Sequence, residues 1–410
     1  MRAFFVLERR RFMKGFLVAA GVVSFIFLAT MKGFGGEDAK YAGSEKCGTC
    51  HVTEYKVWKT TNHARMIQDV TKNPSAISPP IKFKTGPLSL EGIKYTVGGN
   101  RWKQRYMRED FSFATIQWNV ETKEWVPWNI SGSHSWYRDC GGCHSTGFKR
   151  TSDMEPIDSP QKYAKAKFSG TYAELNIGCE ACHSPGSNHV NAPSKNNIVN
   201  PAKLTQQLSI SVCAQCHTVF DKPKDADTGK PRKTGFYWWP NGFKPGEDIE
   251  KYIGKTFIPF APTGQTGTYY WADGTSRDHH QNYQDMLRSK HYKAGLTCND
   301  CHSVHSEKSK ESLTKINARD NSLCYTCHSD KKAKLVEHTK HSQDSSGSKC
   351  IECHMPKVIK NAVQYDERAH TFEFISPEKG IKYNMPNSCN TCHKDKSPEW
   401  AVSVMKGWKK

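Results

Sequence analysis

The sequence predicts a mainly α-helical and irregular chain wrapped around a row of bound groups, with one small β-rich insert. Three observations predict it. Only 36% of the 410 residues are hydrophobic, and 30 Gly and 20 Pro interrupt them, so side chains alone would bury a thin core for this length. All 16 cysteines belong to one repeated pattern. Strand-forming runs are concentrated in the stretch 80–130, between the first two copies of that pattern.

The pattern is Cys-x-x-Cys-His, in eight copies: Cys47 and Cys50 with His51, Cys140 and Cys143 with His144, Cys179 and Cys182 with His183, Cys213 and Cys216 with His217, Cys298 and Cys301 with His302, Cys324 and Cys327 with His328, Cys350 and Cys353 with His354, and Cys389 and Cys392 with His393. In this spacing the two thiols add to the vinyl groups of a haem, and the adjoining imidazole binds its iron from one side. Zinc ribbons, redox-active dithiols and structural disulfides do not call for a histidine after every second cysteine. The expected cofactor is therefore eight haem c, and the fold class is a multihaem cytochrome whose macrocycles stand in for the missing apolar interior.

A net charge of +19 would ordinarily point to an anionic partner such as nucleic acid. Here each haem brings two propionates, so lysines and arginines compensate cofactor charge and no nucleic-acid partner is expected. At the N-terminus, Arg2, Arg9, Arg10, Arg11 and Lys14 precede the apolar stretch from Gly15 to Thr30. This reads as an export signal over residues 1–36. An uncleaved membrane anchor is the alternative, although the apolar stretch is short against the roughly 20 residues of a span. The expected location is the periplasm, with membrane-anchored or extracellular placement as variants.

Residues 37–220 read as an N-terminal tetrahaem region. It contains the β-rich insert, expected as a hairpin from the strands Ile93 to Val97 and Ala114 to Val120, with turn residues at Gly98, Gly99 and Asn100. Residues 221–290 form a haem-free, aromatic-rich insert that starts as a loop and ends in a helix from Asp278 to His291. Residues 291–410 form a C-terminal tetrahaem region in which the motifs crowd together at irregular intervals, so the repeats are cofactor sites and not a solenoid.

Of 18 histidines, ten remain after the motifs are counted, and they can supply the second axial ligand that a bis-histidine haem needs. The candidates are His63, His134, His189, His279, His280, His291, His305, His341 and His370. Adjacent His279 and His280 cannot point the same way, so one is expected to be spare. His338 and His341 present the same choice.

Several blocks of this chain resemble the multihaem cytochromes related to cytochrome c-554, within the group that includes hydroxylamine-oxidoreductase-like proteins. They are Tyr41-Ala-Gly-Ser-Glu-Lys-Cys47 with Trp58 and His63-Ala-Arg; Cys140-Gly-Gly-Cys-His-Ser-Thr-Gly-Phe148; Gly178-Cys-Glu-Ala-Cys-His-Ser-Pro-Gly-Ser-Asn-His189; Ser289-Lys-His-Tyr-Lys-Ala-Gly295; Cys353-His-Met-Pro356; His370-Thr-Phe372; and Asn387-Ser-Cys through to Trp400. The resemblance implies distal-ligand roles for His63, His189, His291 and His370.

The function expected from these features is electron transfer between respiratory redox partners, such as a quinol oxidoreductase or other cytochromes, through closely spaced haems. Six-coordinate irons change valence without admitting a substrate, so no catalytic residue is assigned. One alternative is a reductase or oxidase of a small nitrogen or sulfur compound at one open-coordination haem. The chain lacks the Cys-x-x-Cys-Lys variant that related nitrite reductases use at the active haem. A second alternative is a homo-oligomer, an extracellular filament subunit.

Overall fold

The computed structural model describes residues 39–79, 92–99, 101–129, 134–151, 169–218, 239–253, 269–279, 281–306, 312–363 and 365–408. The N-terminal segment 1–36 and the loop from Asp221 to Lys233 lie outside the described residues.

The β-rich insert is larger than the expected hairpin. It is a five-stranded antiparallel meander of Ile67–Asp69 (β1), Ile93–Gly98 (β2), Lys103–Arg108 (β3), Phe113–Asn119 (β4) and Glu124–Pro127 (β5), each strand pairing with the next. Two of the strands are those read from sequence. The others escaped because β1 has three residues and β3, Lys-Gln-Arg-Tyr-Met-Arg, hides its alternation behind charged side chains. The β2–β3 turn needs glycine: Gly98 has φ +76°, and a Cβ there would lie 2.7 Å from the Lys103 carbonyl oxygen.

Alternation along β3 sends its residues to two sides of the sheet. Tyr106 packs with Val70, Ile77, Ile93 and Ala114 on one side. Met107 packs on the other with Ile67, Val97, Phe113, Trp136 and Cys140, the first cysteine of the second motif. Lys103 and Arg105 share the parity of Met107, so the face that covers this motif carries two cationic side chains.

Elsewhere the described helices are short, as one-turn motifs demand. A third cluster joins Ile210 and Ala214 of the helix Gln206–Ala214 to Ile249, Tyr252, Ile253, Tyr283 and Met286, which ties the aromatic-rich insert to the fourth motif. The helix expected from Asp278 to His291 is broken into Asn282–Arg288 and Lys290–Lys293. At the break Ser289 is extended, and its hydroxyl accepts the Tyr292 N–H at 3.0 Å, so a serine N-cap restarts the helix. His291 therefore sits on its own turn. Among the described residues no helix is long and apolar enough to cross a membrane.

Candidate haem-ligand pairs and an unpaired motif

Each motif closes a single helical turn. The His51 N–H donates to the Cys47 carbonyl at 2.9 Å, His217 to Cys213 at 3.0 Å, His328 to Cys324 at 2.9 Å and His393 to Cys389 at 3.0 Å. Residues three and four apart lie on one helix face, so both thiols and the imidazole are presented together.

Seven of the eight motif imidazoles face a second imidazole. The ring-centre distances are 6.2 Å for His51 and His189, 6.4 Å for His217 and His63, 6.1 Å for His183 and His305, and 6.4 Å for His302 and His370. They are 6.0 Å for His328 and His291, 6.1 Å for His354 and His338, and 6.2 Å for His393 and His341. Two imidazoles bound through Nε2 to opposite sides of one metal, each at about 2 Å, have ring centres about 6 Å apart, so this spacing fits a six-coordinate haem iron.

The surroundings of the rings fit the same chemistry. Nδ1 lies 2.7 Å from the Val199 carbonyl in His183, 3.0 Å from that of Ser194 in His189, 2.8 Å from that of Ser312 in His302 and 2.6 Å from that of Thr339 in His341. An Nδ1–H donated to a carbonyl fixes the tautomer and leaves the Nε2 lone pair for a metal. Burial pushes His63 and His370 down to about 4, which keeps both neutral, the ligating form.

The motifs also touch one another. Thiols come within hydrogen-bonding reach for Cys47 and Cys179, Cys213 and Cys298, and Cys324 and Cys350. The Cys143 thiol approaches the Gln215 carbonyl and the Cys216 thiol the Cys143 carbonyl, at 3.9 and 3.8 Å. Cys182 interacts with Cys213, Cys301 with Cys327, and Cys353 with Cys389. These contacts order the motifs as 47, 179, 213, 298, 324, 350 and 389, with the motif at Cys140 joining at Cys213.

His144 differs from the rest. It is half-buried, its ring meets Trp136 edge-on at 6.3 Å, and its buried Nδ1 has no hydrogen-bond partner. Among the described residues no second imidazole faces it. Burial and then the nearby Arg105 push it down to about 4. Arg105 lays its guanidinium 4.0 Å from the Trp128 ring centre and donates from Nε to Gln117 at 3.2 Å. Lys103 donates to the Asn361 carbonyl at 3.2 Å, and burial followed by Arg105 pushes it down to about 8. Neither cation has a carboxylate within ion-pair distance among the described residues. His279 interacts electrostatically with both, and its Nδ1 lies 2.8 Å from Asp278.

The distal candidates thus separate. His63, His189, His291, His305, His341 and His370 each face a motif imidazole. His134 does not: it stacks on Trp128 at 5.0 Å beside Asp139. His279 turns to Asp278, and His280 lies outside the described residues. The expected choice between His338 and His341 does not arise. Lys340 between them is left-handed, at φ 56°, and swings the two rings toward different motifs. The signal that could have found His338 was its place shortly before the seventh motif. Arg105 and Lys103 carried no motif signal and emerge only through strand alternation.

A family model described as cytochrome c552 matches residues 133–348, and one described as cytochrome c554 and c-prime matches residues 46–84. Among curated proteins the chain is similar to dissimilatory sulfite reductase MccA of Wolinella succinogenes, 22% identical over 65% of this chain and 41% of that protein. It is also similar to cytochrome c nitrite reductase subunit NrfA of Nitratidesulfovibrio vulgaris, 26% identical over 45% of this chain and 33% of that protein. Cytochrome c-554 of Nitrosomonas europaea is 24% identical over 42% of this chain and 50% of that protein. The chain thus spans half or less of the length of these relatives. Among solved structures, the outer cell wall cytochrome OcwA shares the fold, with a TM-score of 0.69 at 23% identity, covering 90% of this chain and 86% of that one.

Proposed function

We propose, for a chain that belongs to the cytochrome c552 family, a molecule with two working parts: a conduit of seven bis-histidine haems and one haem with an open coordination position, held by His144, at which a small anion is bound and reduced. The chain is a multihaem c-type cytochrome; eight haem c and seven imidazole pairs are our reading of its motifs and ring spacings. The observation that carries the proposal is the contrast between seven motif histidines with a facing imidazole and His144 without one among the described residues. Two half-buried cations with no carboxylate within ion-pair distance among the described residues support it, because such charges are costly unless an anion completes them.

A bound haem would supply one-electron chemistry at this motif. The chain supplies the rest. His144 would hold its iron. Arg105 keeps its charge at any accessible pH and orients a small oxyanion of nitrogen or sulfur. Lys103 adds a second charge and a proton that it can give up, while Asp278 fixes the tautomer of His279. Met107, Phe113 and Trp136 wall the motif off from water. Haem propionates compete for the same cations, and ligand binding separates the two readings.

Electrons enter from an exported redox partner, a quinol oxidoreductase or another cytochrome, pass along the ordered motifs and reach the His144 haem through the one at Cys213. The names of MccA and NrfA, two relatives called reductases, agree with this reading. The test is an EPR spectrum of the oxidised protein. One high-spin iron that shifts on adding nitrite, hydroxylamine or sulfite is expected, and eight low-spin signals overturn the proposal. A second reading, a conduit without turnover, is favoured by the seven ring pairs. A ligand-induced shift with no consumption of ligand under reduced viologen selects it.

A further inference from the structure

The Lys103 ammonium is one end of a continuous polar chain. It donates to the Asn361 carbonyl at 3.2 Å, and the Asn361 side-chain amide donates to Glu367 Oε2 at 3.0 Å. The other Glu367 oxygen lies 3.5 Å from the Asn282 amide nitrogen, which lies 3.1 Å from Nδ1 of His370. His370 faces His302 across 6.4 Å. Three segments far apart in sequence thus meet at one half-buried carboxylate beside an imidazole pair, with the His144 surroundings at the far end. Structural needs do not explain Glu367. It forms no ion pair within 4 Å among the described residues, and its burial raises it above the usual carboxylate range.

We propose that Glu367 takes up a proton when an electron arrives between His302 and His370, so that this haem position couples electron delivery to proton supply for the His144 site. One electron from the neighbouring motif would reduce an iron held there, and one proton from bulk water would bind the Glu367 carboxylate. The local charge is then unchanged. The coupling is electrostatic: an added negative charge close to a buried carboxylate is poorly screened and strengthens its hold on a proton. The charged groups facing Glu367 are Lys103 of β3, Arg101 of the turn before it and the adjoining Asp366, with Asp278 facing Lys103. Asp366 opposes ionisation and the cations favour it, which leaves the carboxylate poised for the electron to decide. Asn361 is the positioning residue, touching both Lys103 and Glu367.

The inference rests on the proposed pairing of His302 with His370, but not on turnover at His144. It is tested on the full haem-loaded protein by optical potentiometric titration over a series of pH values. In the wild type one resolved midpoint potential falls as pH rises. In Glu367→Gln that midpoint no longer moves with pH, and in Glu367→Asp, which keeps the charge, the slope persists with a displaced midpoint. A wild-type slope in Glu367→Gln overturns the inference and assigns the titration to propionates; a flat profile in Glu367→Asp overturns it as well. Because the readout is a potential, absent turnover at His144 would sink the proposed function while leaving this result interpretable.

Discussion

The rings of His291 and His328 stand almost perpendicular, at 87°, with their centres 6.0 Å apart. By contrast, His338 and His354 lie within 5° of parallel and His183 and His305 within 11°. Each imidazole plane splits the iron d orbitals through π overlap, parallel planes reinforcing and perpendicular planes cancelling, so axial geometry is a lever on the electronic ground state. The oxidised protein should therefore show two classes of low-spin EPR signal, a strongly axial one from the His291 and His328 pair and rhombic ones from the near-parallel pairs. A spectrum with rhombic signals alone would contradict the ring geometry.

Gly347 lies directly beneath His341. A Cβ there would come within 2.2 Å of the imidazole Cδ2, closer than any packing contact, and the ring is already tied by Nδ1 to the Thr339 carbonyl. Gly347→Ala should push His341 off the axis it shares with His393 and convert one low-spin iron to high-spin. Magnetic circular dichroism in the near infrared counts the change. An unaltered count would mean that His341 is not held where it is needed.

Glu180 is buried, and its carboxylate accepts three backbone N–H groups: Ala42 at 2.8 Å, Gly43 at 2.8 Å and Gly186 at 2.7 Å. It clamps the approach to the first motif onto the third. Charge-assisted bonds of this kind contribute more than neutral ones, and Gln would turn an amide N–H toward donors. Glu180→Gln should cost about 3 kcal/mol in denaturant unfolding of the oxidised holoprotein. A midpoint indistinguishable from wild type would show the clamp to be redundant.

Lys103 titrates at 10.5 when unperturbed and is pushed down to about 8 in the fold. Between those values the unfolded chain binds the extra proton, so stability rises with pH across that window and the cost of burying the charge is fully present below it. Taken over the window the gain is about 3 kcal/mol. Function should move the opposite way. As Lys103 loses its charge above pH 8, anion affinity at the His144 site should fall, while binding of neutral carbon monoxide to the reduced protein should not. In Lys103→Met the nitrite dissociation constant, read from the Soret shift, should be raised below pH 8, where the wild-type side chain is charged, and flat through pH 8. If nitrite and carbon monoxide respond alike, the cation serves a propionate instead.

The sequence made the cofactor chemistry legible because Cys-x-x-Cys-His is a local code that one helical turn decodes. The partner imidazoles were legible in number but not in assignment. His51 meets His189 and His63 meets His217 across long stretches of chain, and no local spacing encodes such meetings. In the sequence His338 reads as a competitor of His341, because nothing in Thr339-Lys340 announces a left-handed residue. The sheet was half visible: β2 and β4 carry β-branched and aromatic residues, whereas β3 carries Lys103, Gln104 and Arg105 and reads as surface until Met107 is seen against Cys140. That disguise also hides Lys103 and Arg105 as site residues, since half-buried cations beside a haem motif look in sequence like ordinary solvated charges.

If each ring pair shares one metal, the pairs act on the polypeptide as cross-links, closing loops of very different length. His338 reaches His354 over a few turns of chain, whereas His51 must wait for His189, and His183 for His305. Closure entropy grows with the enclosed length, so the C-terminal pairs should lock first during maturation and the N-terminal ones last, when the intervening segments have docked. Until then an early iron is free to capture whichever spare imidazole drifts by. His134, tethered to Trp128 and Asp139, and His279, tethered to Asp278, are both held away from that competition.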